Sequence, residues 1–252
     1  MTTLLPFINK QFNGTIWRME IDSLSETVFV EIRNSEEKKV SFGSVNLLNG
    51  NINFDDYTTP ERWLTGIETA YDGVLLLHHY LAETSPVHKG LIAVDAVTAQ
   101  TLWSNYTYAF DYLSLNGPLL YNMQMQPKKL FLADIKTGAT NRPHLPQADK
   151  ELVNSIVAPQ ALPVTYLKQP LPIEPYGNMM HYLEYNNFRI VSLHSFTADR
   201  LQQHLYIMND HEIVYKDILN DNIQKLQPEA FILHKNQLIY IKNKSKLKVL
   251  NF

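Results

Sequence analysis

Three histidines lie close together in the chain: His78, His79 and His88. Imidazole nitrogens bind zinc and similar ions, but such a site takes at least three protein ligands and a supporting outer shell. Neighbouring residues of a strand point to opposite faces, so His78 and His79 do not readily share one ion. His88 lies beyond a loop and can approach one of them. The same pattern reads as one inward and one solvated histidine at a strand end. The expectation is therefore no metal and no cofactor. Glu68, Asp111 and Glu174 offer a different chemistry. Paired carboxyls at a suitable separation supply the acid and base of glycoside hydrolysis, and Glu68 with Asp111 is the candidate pair. Those carboxylates equally suit hydrogen bonds to tyrosines or contact with water.

Other constellations are absent. There is no Gly-X-Ser-X-Gly elbow, no glycine-rich phosphate loop and no His-Glu-X-X-His. Asp55-Asp56 reads as a solvated turn and Glu36–Lys39 as a hairpin tip. Trp17, Trp63, Tyr71, Tyr80, Tyr106, Tyr108, Tyr112 and Tyr176 can form an aromatic mouth for a peptide or sugar, or pack between structural units. Trp63, Tyr112 and Tyr176 are the candidate ligand-binding residues. Lys235, Lys242, Lys244, Lys246 and Lys248 crowd the C-terminal end. On one continuous strand the last four would share a face. That reads as protection of an edge strand, with an anion or phospholipid patch as the functional alternative.

These side chains need a scaffold, and composition bounds it. The chain has 252 residues, 45% hydrophobic and 19% charged, enough for a sizeable core. A net charge of −3 gives no electrostatic footprint for nucleic acid. With no cysteine, disulfides and thiolate chemistry are excluded. The first ten residues lack a basic start followed by an apolar run, and no run of about 18 apolar residues occurs. The expectation is a cytoplasmic protein without a membrane span.

The elements read as strands. Valine, isoleucine and 28 aromatic residues suit pleated surfaces. Strand patterns cover Thr27–Arg33, Val40–Leu47, Val74–Leu81, Leu91–Asp95, Leu119–Met123, Leu130–Asp134, Met179–Tyr185, Phe188–Leu193, Ile213–Ile218 and Leu238–Lys242. Turn pairs such as Asn49-Gly50, Asp72-Gly73 and Asn116-Gly117 separate them. Further strands are expected at Trp63–Thr69 and Ala109–Leu115. The best helical candidate is short, at about Ala148–Ile156. Asn141–Tyr176 carries seven prolines and reads as a long connection. Asn220–Pro228 is a second irregular link.

A hairpin repeats along this series. Its clearest copy is Gly90–Trp103, two strands around the turn that Asp95 opens. Asn46, Asp134, His194 and Lys242 align with Asp95, roughly one propeller blade apart at 40–60 residues. The acidic or amide side chain can accept a backbone N–H two residues on. Gly50 and Gly138 can take the positive φ that the turn requires, a place held by Ala99 and Ala198 in other copies. Trp103 or Phe54 then offers an apolar face to the next unit.

Asp95–Trp103 and Asp134–Thr140 resemble the blade signature of quinoprotein-type (PQQ-repeat) β-propellers: aspartate, then Thr-Gly, then Leu-Trp. The whole chain is similar to an uncharacterised bacterial family in that superfamily. The resemblance implies an architecture and no quinone chemistry, because those enzymes are longer and carry a vicinal cysteine pair. The expected fold is all-β: a β-propeller-like ring of about five four-stranded antiparallel blades, in a single domain over residues 1–252. The N-terminal segment near Leu4–Ile8 can complete the last blade. The expected role is a non-enzymatic binding or scaffolding module for a protein or small molecule. The alternative is a hydrolase or lyase acting on a sugar or small substrate through Glu68 and Asp111.

Overall fold

Local turn chemistry sets the hairpins. In the computed structural model, which describes residues 4–252, Asp95 Oδ1 accepts the N–H groups of Val97 at 3.0 Å and Thr98 at 2.7 Å. Asp134 accepts those of Lys136 and Thr137, and Asn46 those of Leu48 and Asn49. The turns are closed by Gly50 at φ 75°, Gly138 at φ 71° and Ala99 at φ 60°. Alanine pays a steric penalty in that region which glycine does not. Ala99→Gly is therefore expected to stabilise the fold by about 0.5–1 kcal/mol, read from the urea midpoint. A fall in midpoint would refute this account of the turn.

Two of the aligned positions behave differently. Lys242 ends a strand before a turn through Asn243 and Lys244, both at positive φ. His194 does not open a turn. It lies inside a strand, and the reversal comes later at Ala198-Asp199.

The first strand, β1 (Ile8–Gln11), pairs with the far end of the chain. The remaining strands form two compact units by contact pattern. Residues Asn13–Asn154 hold three four-stranded meanders. The first is β2 (Thr15–Asp22), β3 (Thr27–Asn34), β4 (Lys39–Asn46) and β5 (Ile52–Tyr57). The second is β6 (Thr65–Tyr71), β7 (Val74–Ala82), β8 (Ser85–Asp95) and β9 (Thr101–Asn105). The third is β10 (Tyr108–Ser114), β11 (Gly117–Asn122), β12 (Leu130–Ala133) and β13 (Thr140–Pro143).

Strand alternation lets the middle sheet serve two cores. Leu75 and Leu77 pack with Phe29 and Phe42 of the first sheet. Val74 and Leu76 pack with Leu120, Ala133 and Ile135 of the third. The turns join the sheets as well. Ala96 O accepts Ser44 Oγ at 2.6 Å and Asn53 Nδ2 at 3.0 Å. At the equivalent place one unit on, Ile135 O accepts Trp103 Nε1 at 2.8 Å. The Trp103 indole lies so close to Gly138 that a Cβ there would sit 2.6 Å from the ring.

The second unit joins the residues up to Phe12 with Ser155–Phe252. One sheet is the meander β15 (Gln160–Pro163), β16 (Met179–Tyr185), β17 (Phe188–Thr197), β18 (Arg200–Met208) and β19 (Ile213–Ile223). The other contains β14 (Ile156–Val157), β20 (Ile232–His234), β21 (Gln237–Lys242) and β22 (Lys246–Asn251), in the order β1-β22-β21-β20-β14. Ile190, Leu205 and Ile207 of the meander pack against Leu238, Tyr240 and Leu250.

All five sheets are antiparallel, as expected, but two have five strands. The proline-rich connection supplies the extra β14 and β15. No helix forms at Ala148–Ile156: Glu151 makes an isolated bridge to Ser114, and the 3-10 turn Val164–Tyr166 follows later. Arg142 holds the buried Asp149 through both carboxylate oxygens, and Leu145 N donates to the same group. That pins the backbone in a loop. The lysine-rich end is not an edge either, because β22 lies between β1 and β21. No helix among the described residues is long and apolar enough to cross a membrane.

Candidate functional site

Two β-bulges shape the face shared by the first and second meanders. The β2–β3 register slips between Ile16 and Arg18, leaving Trp17 unpaired. The β6–β7 register slips between Ile67 and Thr69, leaving Glu68 unpaired. A bulge re-aims a side chain at such a point. Trp17 is 68% exposed. With Trp63 and Tyr80 it walls a cavity of about 640 Å³, with Arg33 inside and Thr15, Glu83 and Ser85 also lining it.

Arg33 organises that cavity. Its guanidinium carbon lies 5.1 Å from the Trp63 ring centroid and 5.9 Å from those of Trp17 and Tyr80. These are cation–π distances. Glu31, two residues back on the same face of β3, receives Arg33 Nε at 2.7 Å. Arg33 also donates to the carbonyls of Thr65 at 3.1 Å and Trp63 at 3.5 Å. The second oxygen of Glu31 accepts Ile67 N at 2.9 Å, so the carboxylate ties the arginine to β6.

Behind Tyr80 lies a histidine cluster. The rings of His78 and His88 stack at 3.5 Å with 6° between their planes. Tyr80 meets both edge-on, at 4.6 and 5.2 Å. Glu68 Oε2 lies 3.2 Å from His78 Nδ1 and 3.0 Å from His88 Nδ1. The contact to His78 lacks the alignment of a hydrogen bond, and His78 Nε2 has no hydrogen-bond partner either. Gly66 sits opposite His78, and a Cβ there would lie 3.0 Å from Nε2. Burial pushes the Glu68 carboxyl up, but the two imidazoles outweigh it and hold it below the usual range. Burial also pushes the His78 imidazole down.

The residues singled out from sequence fall in different places. Trp63 lines the cavity, joined by Trp17 and Tyr80 from the wider aromatic group. Tyr112 is engaged elsewhere, bonding His144 Nε2 and Asp149 O at 3.0 Å each. Tyr176 belongs to the other unit, half-exposed against Phe196 at 5.5 Å. Glu68 and Asp111 have separate partners: the histidines for Glu68, Lys128 for Asp111, which sits at a bulge in β10. Glu174 is exposed and outside any strand. His78 and His79 do face opposite ways, yet both are buried. His79 lies near Thr65 Oγ1 at 3.4 Å and stacks on Tyr106 at 5.7 Å. Neither is the solvated histidine expected. Glu31 and Arg33 were not anticipated, although their i, i+2 spacing on a strand is a legible signal.

A family model described as a domain of unknown function, DUF4905, matches residues 21–103. That stretch is about a third of the chain and carries Glu31, Arg33, Trp63, Glu68 and the three histidines. No curated protein matches. Among solved structures, the chain is similar to Raptor from Chaetomium thermophilum at TM-score 0.39 and 8% identity. The similarity covers 99% of this chain and 29% of Raptor, so the chain spans less than a third of that protein's length.

Proposed function

We propose that the protein is a binding module whose five sheets are blades of a propeller-like, single-domain ring. Its ligand seat is the cavity walled by Trp17, Trp63 and Tyr80. The meander order within the sheets, and the blade signature at Asp95–Trp103 and Asp134–Thr140, support the architecture. One observation carries the function: three aromatic rings from separate stretches converge on a single arginine in an open cavity. Trp17, 68% exposed, is one of the residues lining that cavity. Aromatic faces beside threonine, serine and carboxylate groups suit a carbohydrate: its C–H face stacks and its hydroxyls find polar partners. The hydrolase alternative gains nothing here. Glu68 and Asp111 have separate partners, the histidines and Lys128, and neither lines the cavity.

Tryptophan emission tests this directly. Trp17 and Trp63 line the cavity, while Trp103 is packed against Gly138. Titration with a panel of mono- and oligosaccharides is expected to shift the emission. Trp63→Ala is expected to weaken the same ligand by about tenfold, the worth of one lost aromatic contact. If no sugar moves the emission, the carbohydrate class fails. If Trp63→Ala binds as tightly as the parent, the cavity is not the seat.

A further inference from the structure

We infer that Glu68, His78 and His88 form a binding site for a divalent transition metal of the zinc class, with a fourth position open to water. The three side chains each offer one ligand atom, all within 4.8 Å of one another. Two atoms bound to one tetrahedral zinc at about 2.0–2.1 Å lie roughly 3.3 Å apart. The Glu68 oxygen is 3.0 and 3.2 Å from the two Nδ1 atoms. Two imidazoles and a carboxylate are a donor set that zinc accepts with water as its fourth ligand.

His78 supplies the independent observation. It is 1% exposed, its Nε2 has no hydrogen-bond partner, and its Nδ1 meets only the Glu68 oxygen, 3.2 Å away. A buried polar group left unpaired is destabilising. Bonding Nδ1 to a metal would replace its poorly aligned contact with Glu68 by a ligand bond. The surroundings fix the ring. Gly66 leaves room that any Cβ would fill, and Tyr80 meets the ring edge-on. Glu68 reaches the ring only because of the β6 bulge. The lone pairs of two stacked rings run side by side, so coordination must turn one ring. His88 is the one free to turn, with its side chain 35% exposed. Metal binding therefore breaks the stack; none of Glu68, His78 and His88 lines the sugar cavity, so the two readings are tested separately.

Calorimetry of the full chain with Zn²⁺ in a non-chelating buffer is the test. One ion per chain is expected, with micromolar or tighter affinity. His88→Ala and Glu68→Gln should each weaken it at least a hundredfold, while His211→Ala, an exposed turn residue, should change nothing. His88 is the decisive position because its partial exposure lets the variant fold, which thermal melting checks. Co²⁺ should give the intense visible bands of a four-coordinate ion, and these should vanish in His88→Ala. Absence of Zn²⁺ binding at millimolar concentration overturns the inference. So does binding that survives both cluster variants.

Discussion

Asp217→Asn is expected to lower the unfolding free energy by about 3–4 kcal/mol, the scale for breaking a buried ion pair. Asp217 stands on β19 and reaches the neighbouring sheet of its unit. Lys242 Nζ donates to it at 2.5 Å, Lys248 Nζ at 2.7 Å and Tyr240 OH at 2.7 Å. Only 10% of its side chain is exposed, and 12% of that of Lys248. Asparagine keeps the shape but leaves two ammonium groups without a counter-charge. Acid should expose the same clamp. Burial pushes the Asp217 carboxyl up, but its lysine and tyrosine donors outweigh that and bring it to about 2. A depressed carboxyl stabilises the fold fully above its unfolded value, near 3.9. That contribution is lost as pH falls through the folded value. The parent should therefore shed about 2 kcal/mol between pH 4 and pH 2 from this group alone, and the variant should not. Urea midpoints across that window decide it. Parallel curves would show that Asp217 is not the clamp.

The same lysines show where sequence reading reaches its limit. Lys242 and Lys248 share a face, as their spacing suggests, but through cross-strand register: Lys242 pairs with Lys246, and Tyr240 with Lys248. Edge protection failed as an explanation because β1, more than 230 residues away, covers β22. Nothing local announces that pairing. The Asx turns at Asn46, Asp95 and Asp134 were legible because donor and acceptor lie within three residues. The strands around them were legible for the same reason.

The Glu68 cluster was not, for a definable reason. The two-residue turn Asp72-Gly73 sets Tyr71 against Val74, Ala70 against Leu75 and Thr69 against Leu76. Continued without interruption, that register puts Glu68 opposite Leu77, on the face of His79. The bulge shifts it by one, so Ile67 meets Leu77 and Gly66 meets His78. A one-residue slip exchanges the two faces of a strand. Glu68 thus arrives beside His78 and His88. Bulges leave almost no mark on sequence, and here one of them decides which side chains meet.

Glu31→Ala should show how far the cavity depends on a single buried carboxylate. Glu31 is 1% exposed and divides its oxygens between Arg33 Nε and Ile67 N. Alanine strands the Arg33 charge, whose side chain is only 14% exposed, and orphans the Ile67 N–H immediately before the bulge. The expected loss is about 3–5 kcal/mol. Glutamine keeps an acceptor for Ile67 and removes only the charge, so it should forfeit roughly 1.5–3 kcal/mol, the worth of a charged hydrogen bond. Arg33→Met alone leaves the carboxylate buried without its partner. Combined with Glu31→Gln it removes both charges, and the double variant should be less destabilised than the sum of the singles by up to about 3 kcal/mol. Additive losses in a urea double-mutant cycle would mean that Glu31 and Arg33 act independently. Coupled losses, with ligand-induced tryptophan emission lost in step, would mean that the charge pair beneath the three rings holds Trp17, Trp63 and Tyr80 in place.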